Sequence, residues 1–541
     1  MARSSGKYTE VIPLSRWIAG AIVASAVLLK LGLIGREIFP FNADEAIVAL
    51  MAKHTLLGDW PVFFYGQAYM GSLDATLVAM GFRLIGERIL VIRLIQILLY
   101  AGTVLTTILL GWRIFKNRLA GLVAGLILAI PTTNLTLYTT ISLGGYGEAL
   151  LLGNLILLAG LCIQQEEARL PIYFVLGFLI GLGFWAFGLT LVYSLPVFLL
   201  MVKHIDRVFK LRCVPKIGCI LTGILLGLTP VIYWAFSHSA SALIPELAGG
   251  AVAGTSGVGY PSQVMQSFRN FVVFGLTVIF GFRPPWDVFP MFLPGLFFGL
   301  IFWLVFAIYR IRERTFSNSD STGLWLLRGL AILTILGYLL TPFGGDPSGR
   351  YFLPLGVVLA LLGGAFVAGP SWPRSSYLRW LLLCGLVLFQ FGSNLEVLEQ
   401  ANPGFTTQFD ARTRVDHAFD NELIEFLEAR GATRGYSTYW ISYPLDFQSQ
   451  ENLIFVPALP YHADLRFTER DNRYGPYNDM VSQAERIAFI TTGQETLDLT
   501  LTSFLHGEQL QWREDWIGPY HVFYDIDNNL NLARLKEEWI Q

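Results

Sequence analysis

Apolar runs separated by short polar segments occupy the chain from residue 17 to about residue 395. Each run is long enough to cross the roughly 30 Å hydrocarbon core of a bilayer as a helix. We predict eleven membrane spans, at residues 17–35, 90–111, 118–132, 147–163, 171–187, 188–202, 217–236, 289–309, 325–342, 351–369 and 378–394. Gly181, Gly183, Gly188 and Pro196 interrupt the pattern near residues 171–202.

A different pattern begins near residue 395, where long apolar runs give way to dense acidic, basic and amide residues. The pattern predicts an amphipathic helix over residues 422–427 and strands at 435–440, 452–456 and 487–491. The chain therefore divides into a mainly α membrane domain, residues 1–395, and a soluble α/β domain, residues 396–541. A long external loop, residues 36–88, interrupts the membrane domain after its first span.

Composition agrees with a membrane protein and excludes several functions. Of the 541 residues, 54% are hydrophobic and only 14% are charged, whereas soluble domains carry about 25% charged residues. The net charge of -2 does not indicate a nucleic-acid partner, and the chain has no basic tail, so no nucleic acid is expected to bind. Four cysteines without a CxxC or Cys/His cluster predict neither a disulfide framework nor a structural zinc site.

Lysine and arginine concentrate in the cytoplasmic loops of membrane proteins, and here they gather in four short loops. These residues are Arg113, Lys116, Arg118, Lys203, Arg207, Lys210, Arg212, Lys216, Arg310, Arg312, Arg314, Arg374 and Arg379. Eleven spans place them all with the N-terminus in the cytoplasm and place the C-terminal domain outside, as in a bacterial plasma membrane. A further span at residues 271–282 would break this arrangement, so we predict an interfacial or re-entrant helix there. Residues 46–57 and 69–84 are predicted to lie along the outer face.

Two adjacent carboxylates, Asp44 and Glu45, follow the first span at the membrane boundary. Adjacent carboxylates repel each other, so at least one needs a cation, a metal ion or a raised pKa. A shielded carboxylate at this position is suited to act as general base toward a hydroxyl group. The alternative is structural, because capping and the helix dipole both favour acidic residues at a helix N-terminus.

The loop after these acids carries Tyr65, Gln67, Tyr69 and Asp74, which supply more hydrogen-bonding groups than a connector needs. Aromatic faces and amides are suited to sugar recognition, although aromatic belts are also routine at membrane interfaces. Glu148, at the start of the fourth span, is on the same predicted face. It is either a substrate contact or an acid favoured by the helix dipole.

Arg350 opens the tenth predicted span in an Arg-Tyr-x-x-Pro segment. A guanidinium grips a phosphate in bidentate fashion, so Arg350 is a candidate phosphate ligand. The alternatives are a snorkelling anchor or an arginine neutralised by Asp346, four residues earlier.

Three polar residues close to predicted spans have structural interpretations. A charge at a helix centre costs about 2.5–3.5 kcal/mol on insertion scales, so Arg93, near Gln96 in the second span, is predicted to snorkel or face the protein interior. His54 is predicted to be a surface residue.

The C-terminal domain shows no phosphate loop or nucleophile motif, and no role is assigned to its aromatic residues, Trp440, Tyr443, Tyr461, Tyr474 and Tyr477.

Together these motifs resemble the polyprenyl-phosphate-sugar-dependent glycosyltransferases of the GT-C fold. That group includes protein mannosyltransferases and bacterial lipid A aminoarabinose transferases. The shared features are a first span followed by Asp44-Glu45, the aromatic segment 61–66, the segment at Arg350 and an external C-terminal domain. Each motif is short, and the resemblance lies in their order and topology along most of the chain.

The resemblance implies a hexosyl- or pentosyltransferase that moves one sugar from a polyprenyl-phosphate donor to a glycan, lipid or protein acceptor. Asp44 would be the base of an inverting displacement, and Arg350 would bind the lipid phosphate. Glu45, Glu148, Tyr65, Gln67, Tyr69 and Asp74 would bind substrate. A divalent metal ion is possible, with Asp44, Glu45 and Glu148 as its ligands. The alternatives are a transporter or flippase for lipid-linked glycans and a non-catalytic assembly subunit.

Overall fold

The computed structural model describes residues 11–164, 169–203, 214–237, 259–312, 319–369, 375–400, 404–410, 413–530 and 532–537. Five of the basic residues used above to orient the spans lie outside this description. They are Arg207, Lys210, Arg212, Arg314 and Arg374.

The chain folds into two compact units. The first, here called the membrane unit, contains Met1–Phe39, Tyr69–Asp74 and Ile92–Thr407. The second, here called the α/β unit, contains Pro40–Ala68, Ala75–Val91 and Gln408–Gln541. Most of the predicted external loop, residues 36–88, therefore belongs to the same unit as the C-terminal residues.

The helices up to residue 400 are α1 (Val11–Ile34), α2 (Ala43–Leu57), α3 (Leu73–Ile85), α4 (Ile89–Phe115), α5 (Arg118–Ala129), α6 (Thr133–Tyr138), α7 (Tyr146–Ile163), α8 (Leu170–Ala186), α9 (Leu191–Lys203), α10 (Val214–Gly227), α11 (Thr229–Ser237), α12 (Tyr260–Asn270), α13 (Leu276–Ile279), α14 (Leu293–Arg312), α15 (Ser321–Leu340), α16 (Leu353–Ala368) and α17 (Ser376–Glu399). A short hairpin of β1 (Phe63–Phe64) and β2 (Gln67–Gly71) separates α2 from α3.

All eleven predicted spans overlap helices. Among the described residues, seven helices are long and apolar enough to cross a membrane: Ser15–Ile34, Ile89–Phe115, Tyr146–Ile163, Leu293–Arg312, Ser321–Leu340, Arg350–Ala368 and Ser376–Glu399. The pair α10 and α11 forms an eighth candidate, bent by 58° between Gly227 and Thr229. The remaining three, α5, α8 and α9, are shorter apolar helices. The count of eleven crossings stays a prediction.

Glycines allow α8 and α10 to pack with their backbones in contact. Two pairs of glycines spaced four residues apart lie where these helices meet: Gly177, Gly181, Gly223 and Gly227. A Cβ atom on Gly177 would lie 2.1 Å from the Ile220 carbonyl oxygen, and one on Gly223 would lie 2.3 Å from the Phe174 carbonyl oxygen. Small residues at this spacing are a recurrent way for membrane helices to associate. Of the glycines that interrupt the apolar pattern, Gly181 therefore belongs to a helix–helix contact.

Residues 271–282, predicted as an interfacial or re-entrant helix, continue α12 without a break. Phe271–Gly275 forms a π-helical turn, α13 follows, and Phe280 ends the helix. The predicted outer-face segment 69–84 differs in its first residues, because Tyr69 lies in β2 and α3 begins only at Leu73.

The C-terminal residues of the α/β unit form a five-stranded sheet with helices. Its helices are α18 (Asp420–Arg430), α19 (Tyr439–Gln448), α20 (Pro476–Ser482), α21 (Glu495–Gly507) and α22 (Leu532–Glu537). Its strands are β3 (Arg434–Thr438), β4 (Ile454–Leu459), β5 (Arg486–Thr491), β6 (Arg513–Ile517) and β7 (Tyr520–Asp527), in the order β4-β3-β5-β7-β6. The first three strands in that order are parallel, and β7 and β6 complete the sheet antiparallel.

The elements predicted from the sequence in this region form the buried core of the sheet. Leu423 and Leu427 of α18 pack with Phe455 of β4 and Ile490 of β5 in one buried cluster. The predicted helix 422–427 and the predicted strands near 435, 452 and 487 are all present. The first of these strands ends two residues early, because α19 begins at Tyr439. Sequence analysis missed β6 and β7.

Candidate active site

Asp44 and Glu45 occupy the first turn of α2. Asn42 caps this helix, its side-chain oxygen accepting the Glu45 backbone N–H at 3.0 Å. Both acids therefore lie where the partial positive charge of the helix N-terminus favours a carboxylate. Glu45 is fully buried, whereas Asp44 is half-buried. The capping interpretation thus describes the local geometry, and the half-buried position of Asp44 is compatible with access by a substrate.

The side chain of Asp44 contacts a residue of the C-terminal region. The Tyr439 hydroxyl donates a hydrogen bond to Asp44 Oδ1 at 2.5 Å. Tyr439 is the first residue of α19, and its ring is buried against Tyr443 at 5.6 Å and Trp440 at 5.0 Å. The guanidinium of Arg473 lies 5.6 Å from the centre of the same ring. Asp44 is therefore part of a polar cluster within the α/β unit.

Asp471 and Arg473 complete this cluster around Asp44 and Tyr439. Burial raises the pKa of Asp471 to about 7, with the Asp44 charge adding to the effect and Arg473 opposing it. Burial by itself would lower the pKa of Arg473, but the acidic groups around it raise that pKa overall. Burial and the Asp44 charge raise the pKa of Tyr439 well above its ordinary value. Tyr439 is therefore a protonated donor and Arg473 a permanent cation at neutral pH.

The turn between β1 and β2 packs against Arg473. Gly66 has φ +70°, a backbone conformation that glycine adopts without strain. A Cβ atom at this position would lie only 2.8 Å from Arg473 Cδ. Tyr65 stacks on Tyr474 with ring centres 4.7 Å apart, and Gln67 begins β2. Of the loop residues proposed from the sequence, Tyr65 and Gln67 thus flank a glycine in contact with Arg473.

His54 is buried, so its prediction as a surface residue was wrong. It is only 6% exposed, and its Nδ1 lies 2.8 Å from the Tyr65 hydroxyl. Its Nε2 lies 3.0 Å from Glu451 Oε1, and Lys53 pairs with the other Glu451 oxygen at 2.8 Å. The ring also stacks on Tyr474. The apolar positions of α2 could not indicate this environment, because every partner comes from outside the helix.

A second acidic cluster lies in the membrane unit. Asp74 accepts hydrogen bonds from Ser142 Oγ at 2.5 Å and from Gln96 Nε2 at 2.8 Å. Burial raises its pKa, although these donors oppose the shift. Glu148, in the first turn of α7, is 1% exposed and interacts electrostatically with Asp74. Within the part of the chain that the structure describes, neither Glu148 oxygen has a hydrogen-bond partner.

Arg350 is paired with Asp346, as the sequence spacing allowed. Its Nε lies 2.5 Å from Asp346 Oδ2 and 3.1 Å from Ser348 Oγ, and its side chain is 28% exposed. An aromatic cluster adjoins it, in which the Tyr351 ring lies 4.9 Å from Phe343 and Phe343 lies 5.7 Å from Tyr69. The guanidinium is therefore oriented by a carboxylate while part of it stays open.

The structure groups the predicted site residues by unit. Asp44, Glu45, Tyr65 and Gln67 belong to the α/β unit, and Tyr69, Asp74, Glu148 and Arg350 belong to the membrane unit. Sequence analysis missed Tyr439, Asp471 and Arg473, and no spacing signal links them to the loop that carries Asp44.

Arg93 faces the protein interior, which is one of its two predicted positions. Its side chain is 6% exposed and donates to the Phe39 carbonyl oxygen at 3.0 Å.

Comparison with known proteins shows no match to a family model and no match in sequence to a curated protein. Solved structures do match. ArnT from Cupriavidus metallidurans bound to undecaprenyl phosphate has a TM-score of 0.58, at 14% identity, over 96% of this chain and 99% of that chain. The apo state of that ArnT gives 0.55, at 13% identity, over 95% and 98%.

The archaeal oligosaccharyltransferase AglB from Archaeoglobus fulgidus, in complex with an inhibitory peptide and a dolichol-phosphate, gives a TM-score of 0.50. It is 12% identical, and the match covers 88% of this chain and 69% of that chain. The chain has the GT-C fold. The GT-C fold and the helices long enough to cross a bilayer identify an integral membrane protein. The predicted fold class, a mainly α membrane protein with a small α/β part, is confirmed.

Proposed function

We propose that the protein is a glycosyltransferase that moves one sugar from a polyprenyl-phosphate carrier to an acceptor on the extracytoplasmic face. The observation that carries the proposal is the likeness to ArnT bound to undecaprenyl phosphate, which extends over nearly the whole of both chains. A GT-C fold alone is compatible with several functions. The acids and the arginine described above supply the groups that this particular reaction needs.

The proposed reaction is a direct displacement with inversion. Asp44 takes the proton from the acceptor hydroxyl as its oxygen forms a bond to the anomeric carbon. The bond between that carbon and the phosphate oxygen breaks, and the electron pair leaves with the polyprenyl phosphate. Arg350 binds this phosphate and stabilises the charge it gains. No general acid is needed, because the leaving group is already an anion.

The remaining candidates are assigned to substrate binding. Glu148 is a buried acid in the first turn of α7 that interacts with Asp74. Asp74 lies beside it, held by Gln96 and Ser142. Glu45, Tyr65, Gln67 and Tyr69 complete the proposed substrate-binding set.

Among the residues described, no group of three or more His, Cys, Asp or Glu side chains could hold a divalent metal ion. The natural acceptor and sugar are set by the shapes of their binding cavities.

The test compares cells that carry the wild-type gene, no gene, or the Asp44→Asn variant. Mass spectrometry of their envelope lipids, glycans and glycoproteins identifies the species that loses one sugar when the gene is absent. Asp59→Asn is the matched control, because Asp59 is an exposed aspartate just beyond α2. We expect D44N to resemble the deletion and D59N to resemble wild type, with all proteins at equal abundance in the membrane.

Two outcomes would contradict the proposal. Normal sugar transfer by well-expressed D44N would remove the base from the mechanism. An unchanged set of glycoconjugates in the deletion, with a lipid-linked glycan accumulating on the cytoplasmic leaflet, would favour a flippase.

A further inference from the structure

We propose that Tyr439 and Arg473, both from the C-terminal region, are positioning residues that hold Asp44 ready to accept a proton. This inference rests on the proposed function, because it concerns the residue assigned there as base. It assigns a catalytic purpose to a region in which the sequence alone indicated none.

The first argument is the geometry of the hydrogen bond. Tyr439 donates to Asp44 Oδ1 at 2.5 Å across 395 residues of sequence. Its ring is 3% exposed and is fixed by Tyr443 and Trp440, so its hydroxyl has little freedom to point elsewhere. With Oδ1 engaged, the carboxylate is held in one orientation. We assign the other oxygen, Oδ2, to the acceptor hydroxyl.

The second argument is charge. A cation beside a carboxylate attracts it and restricts its movement. Arg473 supplies the cation, and its own electrostatic neighbours are Asp44, Asp471, Tyr439 and Tyr443. Tyr461 interacts with both Asp471 and Asp44.

The third argument is that Arg473 is itself held in place. Its backbone N–H donates to the Tyr443 hydroxyl at 2.5 Å, and that hydroxyl in turn donates to the Asp471 carbonyl oxygen at 3.1 Å. The backbone of Gly66 also packs against Arg473 Cδ. A network whose members are oriented by one another loses little entropy when it binds substrate.

These contacts are not what anchors helix α2. At its far end, Lys53 pairs with Glu451 Oε2 at 2.8 Å and donates to the Gln450 carbonyl oxygen at 3.0 Å. His54 contacts the same glutamate. Removing one hydroxyl at Tyr439 therefore leaves α2 bound to the C-terminal residues, and the variant protein is expected to fold.

The central variant is Tyr439→Phe, which removes the hydroxyl and keeps the ring. The matched control is Tyr524→Phe, because Tyr524 also donates to a carboxylate, Asp515 Oδ2, at 2.9 Å in the same unit. Full-length proteins are placed in vesicles with the polyprenyl-phosphate-linked sugars and the acceptor extracted from the source cells. Sugar transfer and release of polyprenyl phosphate are measured.

We expect Y439F to lower kcat by about 10- to 100-fold, the usual effect of losing a hydrogen bond to a charged group. The donor KM should stay unchanged, because Tyr439 is assigned no contact with the donor. Y524F should leave both quantities at their wild-type values. A merely structural role for Tyr439 would reduce the amount of folded protein without lowering kcat per folded molecule.

Arg473 is tested with Arg473→Met and Arg473→Lys. R473M should lower kcat, and R473K should restore most of it because it retains the charge. The inference is overturned if Y439F and R473M match wild type in kcat while D44N is inactive. If D44N itself is fully active, the proposed function fails instead, so the two failures are distinguishable.

Discussion

The contact between Gly66 and Arg473 leads to a prediction in which stability and activity separate. Replacing Gly66 with alanine adds one methyl group at a residue with φ +70°, where the left-handed backbone costs about 1–2 kcal/mol for a residue with a Cβ atom. The methyl group would also lie 2.8 Å from Arg473 Cδ and 3.5 Å from Arg473 Cα. The second distance is an ordinary contact, so the side chain rather than the backbone must yield.

The size of the required shift follows from these distances. An ordinary contact begins at 3.4 Å, so Arg473 Cδ must move by at least 3.4 − 2.8 = 0.6 Å. A misplacement of about 1 Å can cost about 100-fold in rate. We therefore expect Gly66→Ala to lower kcat by about 10-fold, in addition to a fall in Tm of roughly 2–8 °C from backbone strain.

Gly58→Ala is the control that isolates the side-chain effect. Gly58 ends α2 with φ +101°, and no atom lies within 4 Å of the Cβ that alanine would add. G58A should therefore show a similar fall in Tm and nearly normal kcat. Thermal unfolding of the purified proteins and sugar transfer in vesicles measure the two effects. Equal kcat in G66A and G58A would refute the role of Arg473 in this reasoning.

Two further predictions concern stability. Gly223→Ile should lower the Tm and the membrane abundance of the protein, because its Cβ would lie 2.3 Å from the Phe174 carbonyl oxygen. The control is Gly218→Ile in the same helix, whose Cβ would meet no atom within 4 Å, so both quantities should keep their wild-type values. Burial alone would raise the pKa of Glu451. Hydrogen bonds with His54, Lys53 and Tyr477 instead lower this pKa to about 2, below the ordinary 4.5. The stabilisation is thus present above pH 4.5 and lost toward pH 2. Glu451→Gln should have a lower Tm than wild type at pH 7, and a difference that persisted at pH 2 would contradict this account.

The sequence was sufficient for the features that depend on local pattern. Apolar runs identified the helical segments, and short strand-like segments identified β3, β4 and β5. The antiparallel pair β6 and β7 was missed, because Arg513–Ile517 carries four charged or aromatic residues on an exposed edge and lacks a clear apolar face. Its place in the sheet depends on pairing with β7, which is a tertiary property.

The candidate site was only half predictable for the same reason. Asp44 was recognisable from its neighbour and from its position after the first span. Tyr439 and Arg473 lie in ordinary sequence, and only folding brings them to Asp44. Gly181 interrupts an apolar run in the sequence, yet it allows a close contact between α8 and α10.

The α/β unit also changes how a truncation experiment should be interpreted. A non-catalytic subunit that acts through its C-terminal domain would lose its function when residues 396–541 are deleted. That deletion also removes Tyr439 and Arg473, together with Glu451, which binds the far end of α2. A truncated chain is therefore expected to be inactive under either function, and point variants are the informative test.

The hydrogen bond between Asp44 and Tyr439 joins two residues that are synthesised at very different times. The ribosome makes the acid early and its partner 395 residues later. At about 5–20 residues per second, this leaves an interval of about 20 to 80 s. Throughout it, helix α2 has left the ribosome but Tyr439 has not yet been made. Under the proposed mechanism, a nascent chain is expected to become active only when the last quarter of the protein has folded, and a prematurely ended chain is expected to stay inactive.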